Sequence, residues 1–123
     1  MSQSLAPTVP EIDDEASARQ DEIARLKQEV FLLETLMDNS PDSIYFKDLN
    51  SRFTRINRYA AARFGVGEPA LAIGRTDFDY FTDEHAAQAF RDEQEIICTG
   101  QPLVNVEEKE TKPDGGILWV STT

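Results

Sequence analysis

Few residues in this chain have the type and spacing that catalysis or metal binding needs. His85 is the single histidine. It has no evident nucleophile or acid beside it, so it completes no nucleophile–base–acid set. One imidazole alone is also a weak basis for a metal site, and its place in the first turn of a helix suits a solvated side chain. Cys98 is the single cysteine, so no internal disulfide forms. A reactive thiol needs an electropositive setting, and Glu93 and Glu95 supply the opposite, so a half-buried structural thiol is expected. Glu107, Glu108 and Glu110 could collect a cation, but they alternate with Lys109 and Lys112 like the outward face of a strand. Asp77, Asp79 and Asp83 lack the glycine and closing glutamate of a calcium loop. Gly65-Val66-Gly67 is followed by no Lys-Ser/Thr pair, so it is no phosphate loop. The expectation is a chain that is not an enzyme, with no catalytic and no metal-ligating residue.

The aromatic residues carry more information. Phe46, Phe53, Phe64, Phe78, Phe81, Phe90 and Trp119 come from nearly every segment. Two readings fit them. They fill a core at native density, or a subset lines a ligand cavity: Phe46, Ile56, Phe64, Phe78, Phe90 and Trp119.

The elements that must position these side chains follow from local chemistry. Residues 1–15 are Ser/Pro-rich and then acidic, and are expected to be disordered. Residues 16–38 read as a long amphipathic helix. Ile23, Leu26, Val30, Leu33 and Met37 are spaced 3, 4, 3, 4, which is heptad spacing. That seam serves a dimeric coiled coil, or one helix packed on its own domain. Pro41 ends the helix. Residues 43–47 and 53–56 read as strands around a turn at 48–51. Asn57 caps a short helix that runs from Tyr59 to Phe64, and Gly65 suits its left-handed end. A short helical turn follows near 70–73. Thr82 caps the longest helix of the domain, with Asp83 and Glu84 in its first turn, where the macrodipole favours negative charge. Ala86, Ala89, Phe90, Glu93 and Ile97 share one face of it, and Gly100 and Pro102 end it. Residues 103–111 and 117–123 are strands around Pro113-Asp114-Gly115-Gly116, a turn in which Pro fixes φ and Gly permits positive φ. Two hairpins flanking a helical block make an α+β layer, with an antiparallel sheet covered by helices on one face.

The chain has 123 residues and a net charge of -11. That length gives one domain, residues 39–123, plus the helical extension. The charge argues against nucleic acid as a partner, because phosphate binding needs clustered Lys and Arg. No stretch approaches the roughly 20 apolar residues of a membrane span, and no signal peptide opens the chain. A cytoplasmic location is expected.

In order, Ser40-Pro41-Asp42-Ser43-Ile44-Tyr45-Phe46-Lys47-Asp48, Phe53-Thr54-Arg55-Ile56-Asn57, Ile73-Gly74-Arg75-Thr76-Asp77, Thr99-Gly100-Gln101-Pro102 and Lys112-Pro113-Asp114-Gly115-Gly116-Ile117-Leu118-Trp119-Val120 resemble a PAS domain. The resemblance covers roughly Leu36 to the last residue. It implies a five-stranded antiparallel sheet, of which four strands are visible here. The fifth strand would lie between the first and the fourth. Truncation, a strand donated by a partner, or direct pairing of the two hairpins would account for its absence, and truncation is the expectation. The resemblance implies a regulatory sensory and dimerisation module of a bacterial-type signalling protein. A histidine kinase of a two-component system is the commonest host, then cyclic-dinucleotide enzymes and phosphatase regulators. A homodimer through the helix and an output domain in the parent chain are the implied partners. The alternative is a ligand-free assembly scaffold. Haem and covalent flavin are not expected. The haem-ligating histidine of relatives falls near Ala89, not at His85, and no Asn-Cys-Arg-Phe segment surrounds Cys98.

Overall fold

The structure is a computed structural model describing residues 11–123. It divides into two units, 1–36 and 37–123. The first unit holds most of α1 (Glu11–Asp38). Arg25 braces this helix locally, 2.6 Å from both Glu22 and Glu29, the i,i+3 and i,i+4 geometry that supports a solvated helix. Helix therefore begins at least five residues before the expected start at 16. The part of the expected disordered segment within residues 1–10 lies outside the described residues.

The second unit runs β1 (Tyr45–Lys47), β2 (Phe53–Ile56), α2 (Arg58–Phe64), two 3-10 turns (Pro69–Ala72 and Asp77–Asp79), α3 (Asp83–Thr99), β3 (Val106–Thr111) and β4 (Ile117–Thr122). This is the α+β, PAS-like arrangement. The β1–β2 hairpin pairs Tyr45 with Ile56 and Lys47 with Phe53, with a bulge between Phe46 and Lys47. Its turn is built by Asp48, whose Oδ1 accepts from the backbone of Asn50 at 2.9 Å and Arg52 at 3.0 Å, an Asx turn. The β3–β4 hairpin pairs Lys109 with Trp119 and Glu110 with Leu118. Gly115 in its turn has φ 90°, a conformation that costs glycine little.

The two hairpins form separate two-stranded sheets. Direct pairing between them, one expected route to a closed sheet, does not occur. Each is fixed to the helical block instead. Phe53 exchanges backbone bonds of 2.8 Å with Gly74 and Arg75, and the Thr82 N–H donates to the Thr111 carbonyl at 2.9 Å. The core holds Phe53, Ile56, Ala60, Ala61 and Ala72, with Phe64, Val66 and Tyr80 packed on it.

Helix ends follow the expected chemistry. The Asn57 side chain accepts from Ala60 N–H, and Gly65 closes α2 at φ 76°. Thr82 accepts from His85 N–H, and Gly100 closes α3 at φ 69°.

Candidate functional site

Asn57 is the first organising residue. It is 1% exposed, and a buried amide must satisfy its donors and acceptors. Its Nδ2 donates to the carbonyls of Met37 at 2.7 Å and Asp42 at 2.8 Å. Its Oδ1 accepts from Ile44 N–H at 3.1 Å and Ala60 N–H at 2.9 Å. One side chain thus joins the last turn of α1, the entry to β1 and the first turn of α2.

An aromatic wall stands beside it. Phe53 meets Tyr45 edge-on at 5.5 Å and Phe64 at 5.4 Å. Phe64 stacks on Tyr80 at 5.3 Å and meets Phe81 edge-on at 5.5 Å, and Phe81 touches the His85 ring at 4.8 Å. These are the spacings at which ring quadrupoles attract.

Two charged clusters complete the interior. Lys47 Nζ lies 2.6 Å from Asp77 Oδ2 and 2.6 and 2.9 Å from the two Glu93 oxygens. Its side chain is 10% exposed. The ammonium also sits 4.8 Å from the centre of the Phe53 ring, within reach of its negative face. One cation here serves two carboxylates. Burial pushes the Glu93 carboxyl above its usual range, with Lys47 pulling the other way. In the second cluster Arg63 Nη1 donates to Ser43 Oγ at 2.9 Å, and Nη2 donates to the Glu110 carboxylate. Burial likewise raises the Glu110 carboxyl, opposed by Arg63 and His85. Tyr45 stands between the clusters. The residue as a whole is 39% exposed, but desolvation of its phenol first, then the charges of Asp77, Glu110, Glu93 and Glu108, push its pKa up.

A groove of about 630 Å³ opens between the hairpins, lined by Ser43, Tyr45, Tyr59, Arg63, Glu110 and Thr122 among others. The arrangement can hold a small polar molecule, since hydroxyls, a guanidinium and a carboxylate converge on one opening.

Of the expected cavity residues, Ile56 is in the core and Phe64 is in the aromatic wall. Phe46, Phe78, Phe90 and Trp119 are exposed and are not brought together with them. Trp119 shares its strand face with Lys109 across the hairpin, away from Val120. In the seam, Ile23, Leu26, Val30 and Leu33 are exposed, whereas Met37 is buried at 3%. Three further expectations change. Glu108 and Glu110 do not share an outward face with Glu107, since Glu110 pairs with Arg63 and Glu108 accepts from Thr122 Oγ1 at 2.8 Å. His85 is half-buried, not fully solvated, and Cys98 is exposed. Among the described residues no group of three His, Cys, Asp or Glu could hold a metal.

Sequence reasoning missed Lys47, Asp77, Glu93 and Arg63. One signal was present: Glu93 is the single charge on an otherwise apolar face of α3, and a lone charge there calls for a buried partner.

A long helix, then hairpin, helices and hairpin around a charged interior, defines a small α+β module. The PAS fold model matches residues 37–123, and the chain belongs to this family, which makes it a sensory signalling module by class. A solved structure of VqmA bound to DPO is 31% identical, with TM-score 0.58, over 75% of this chain and 44% of that one. A Vibrio cholerae VqmA dimer in the absence of target DNA, described among LuxR-type receptors, is 30% identical, with TM-score 0.60, over 75% and 39%. The PAS domain of the Cronobacter turicensis RpfR quorum-sensing receptor, in complex with BDSF, is 19% identical, with TM-score 0.54, over 66% and 78%, and shows the fold. The chain spans less than half the length of the VqmA chains. No curated protein matches it. No described helix is long and apolar enough to cross a membrane.

Proposed function

We propose that this chain is the ligand-sensing and dimerisation part of a cytoplasmic signalling receptor, that it performs no catalysis itself, and that it relays occupancy to an output domain of its parent protein. The observation that carries this reading is the interior. A domain built only to pack would fill it with apolar side chains, because buried charge is costly even when paired. Here Lys47, Asp77, Glu93, Arg63 and Glu110 line it beside an open groove. The likeness to VqmA bound to DPO supports a small molecule as the signal.

Dimerisation rests on α1. Ile23, Leu26, Val30 and Leu33 form an exposed apolar stripe, and such a stripe gains by pairing with a second copy. Met37, the last residue of the expected seam, is buried in the single chain. The output domain is a histidine kinase by frequency of the family's hosts. A DNA-binding output is the second reading, favoured by the VqmA description as a LuxR-type receptor with target DNA. In either case the acidic module itself does not contact nucleic acid, since its net charge is -11.

Native mass spectrometry on freshly purified protein tests the reading. A dimer carrying extra mass is the expected result. A bare dimer favours a ligand-free assembly scaffold, and a bare monomer removes the seam argument.

A further inference from the structure

The outer edge of β3 faces a groove beside α3. β3 pairs with β4 alone. Lys112 N–H donates to the Gly116 carbonyl at 2.8 Å, and the register runs on from there through Glu110 with Leu118 and Glu108 with Val120. Antiparallel pairs alternate between bonded and unbonded, so Thr111, Lys109 and Glu107 turn their backbone N–H and C=O away from β4. One of these groups is taken. The Thr111 carbonyl accepts from Thr82 N–H at 2.9 Å. The backbone entering α3 thus makes a first rung beyond β3, and Lys109 and Glu107 continue that edge with no strand beside them. The fifth strand implied by the PAS resemblance pairs with β1 and β4, so it leaves this edge open.

A groove of about 580 Å³ lies between the edge and α3. Backbone donors and acceptors that recur at the strand repeat suit an extended peptide better than a compact ligand. Ala89 and Val106 add half-buried apolar surface. Among the described lining residues Glu84, Asp92, Glu107 and Glu108 are acidic, against Arg91 and Lys109. Arg91 is held by Gln88 of its own helix at 2.8 Å. The surplus of carboxylate favours a peptide that carries lysine or arginine. A second copy of β3 is a poor occupant. Two-fold antiparallel pairing that engages both Glu107 and Lys109 within the strand sets Glu108 or Lys109 opposite itself, and like charges directly opposite are destabilising.

We propose that the β3 edge is a docking site for an extended, basic peptide segment of a partner protein, which adds a strand beside Glu107 and Lys109 and turns its cations toward the carboxylates of the groove. This surface is separate from the groove between the hairpins and acts independently of ligand sensing.

The peptides acetyl-Val-Lys-Val-Lys-Val-amide and acetyl-Val-Glu-Val-Glu-Val-amide test the proposal, because they share an extended backbone and differ in charge. Binding is read at the Glu107 and Lys109 amides, by 15N-resolved NMR and hydrogen exchange of the 123-residue chain. The expected result is that the lysine peptide shifts and protects both amides and binds at least fivefold more tightly than the glutamate peptide. Lys109→Pro removes an N–H that β4 does not use, a change that edge strands tolerate, and should weaken the lysine peptide at least fivefold. Lys109→Ala keeps the N–H and should not. Thermal melting checks the fold of both variants. If Lys109→Pro melts early, a backbone N-methylated lysine peptide, which leaves the protein unchanged, decides by the same fivefold loss. Equal or tighter binding of the glutamate peptide overturns the proposal, as does binding that leaves the two amides in place or failure of both peptides to bind. Protection of those amides that grows with protein concentration, with no peptide present, makes the occupant a second copy and overturns it too.

Discussion

Replacing Lys47 by methionine isolates the energetics of the charged interior. Methionine keeps the length and apolar stem of the side chain and removes the ammonium. Asp77 and Glu93 then face each other without a cation, with side chains 11% and 23% exposed. Removing one partner of a buried ion pair costs about 3–5 kcal/mol, because the remaining charge is uncompensated. The lost contact with the Phe53 ring, 4.8 Å away, adds about 0.5–1 kcal/mol. For a domain of this size about 1 kcal/mol corresponds to a change of 4–8 °C in Tm. The expected fall is therefore at least about 12 °C at pH 7. Thermal melting by circular dichroism and urea unfolding measure it. The deficit should shrink on acidification, because protonating either carboxylate removes the unpaired charge. A Lys47→Met, Glu93→Gln double variant should regain part of the loss, giving a coupling energy between the two sites. A loss below about 1 kcal/mol, or one that does not change with pH, refutes the reasoning and makes the cluster a solvated surface pair.

Glu93→Gln should alter the pH dependence. The Glu93 carboxyl is raised above its reference value of 4.5 by burial, so the folded state holds that proton more tightly than the unfolded one. Stability from this group is present below about pH 4.5 and is lost as pH rises through the folded pKa. Relative to the variant, the wild type should lose stability across that window in urea titrations, and parallel curves would contradict this. Asn57→Ala orphans four buried or half-buried backbone groups and should cost at least about 3 kcal/mol by urea unfolding; a cost under about 1 kcal/mol would show that water replaces the amide. Leu26→Asp with Leu33→Asp should yield a monomer by light scattering, and persistence of a dimer would place the interface elsewhere.

Local chemistry made much of the fold legible. Pro113-Asp114-Gly115-Gly116 foretells a turn because φ is fixed at one residue and freed at others, and the β3–β4 register follows from it. The caps at Asn57, Thr82, Gly65 and Gly100 are legible for the same reason. The site was not. Strand alternation allows either Phe46 or its neighbours Tyr45 and Lys47 to face inward, and hydrophobicity alone favours Phe46. The choice is made by Asp77 and Glu93, which lie 30 and 46 residues along the chain from Lys47. Glu110 turns inward because Arg63, 47 residues away, waits for it. The same alternation sends Trp119 outward beside Lys109. Such partners are visible only once the chain has folded back on itself.

The bond from Asn57 to the Met37 carbonyl makes the end of α1 discrete. Moving that helix end by one residue carries the carbonyl about 1.5 Å along the axis and turns it by about 100°. At 2.7 Å the bond has no slack for such a step. A gradual drift of the last turn is therefore excluded while the amide holds. Any second position must come with its own set of partners for Asn57, so the helix end can click between states but cannot slide.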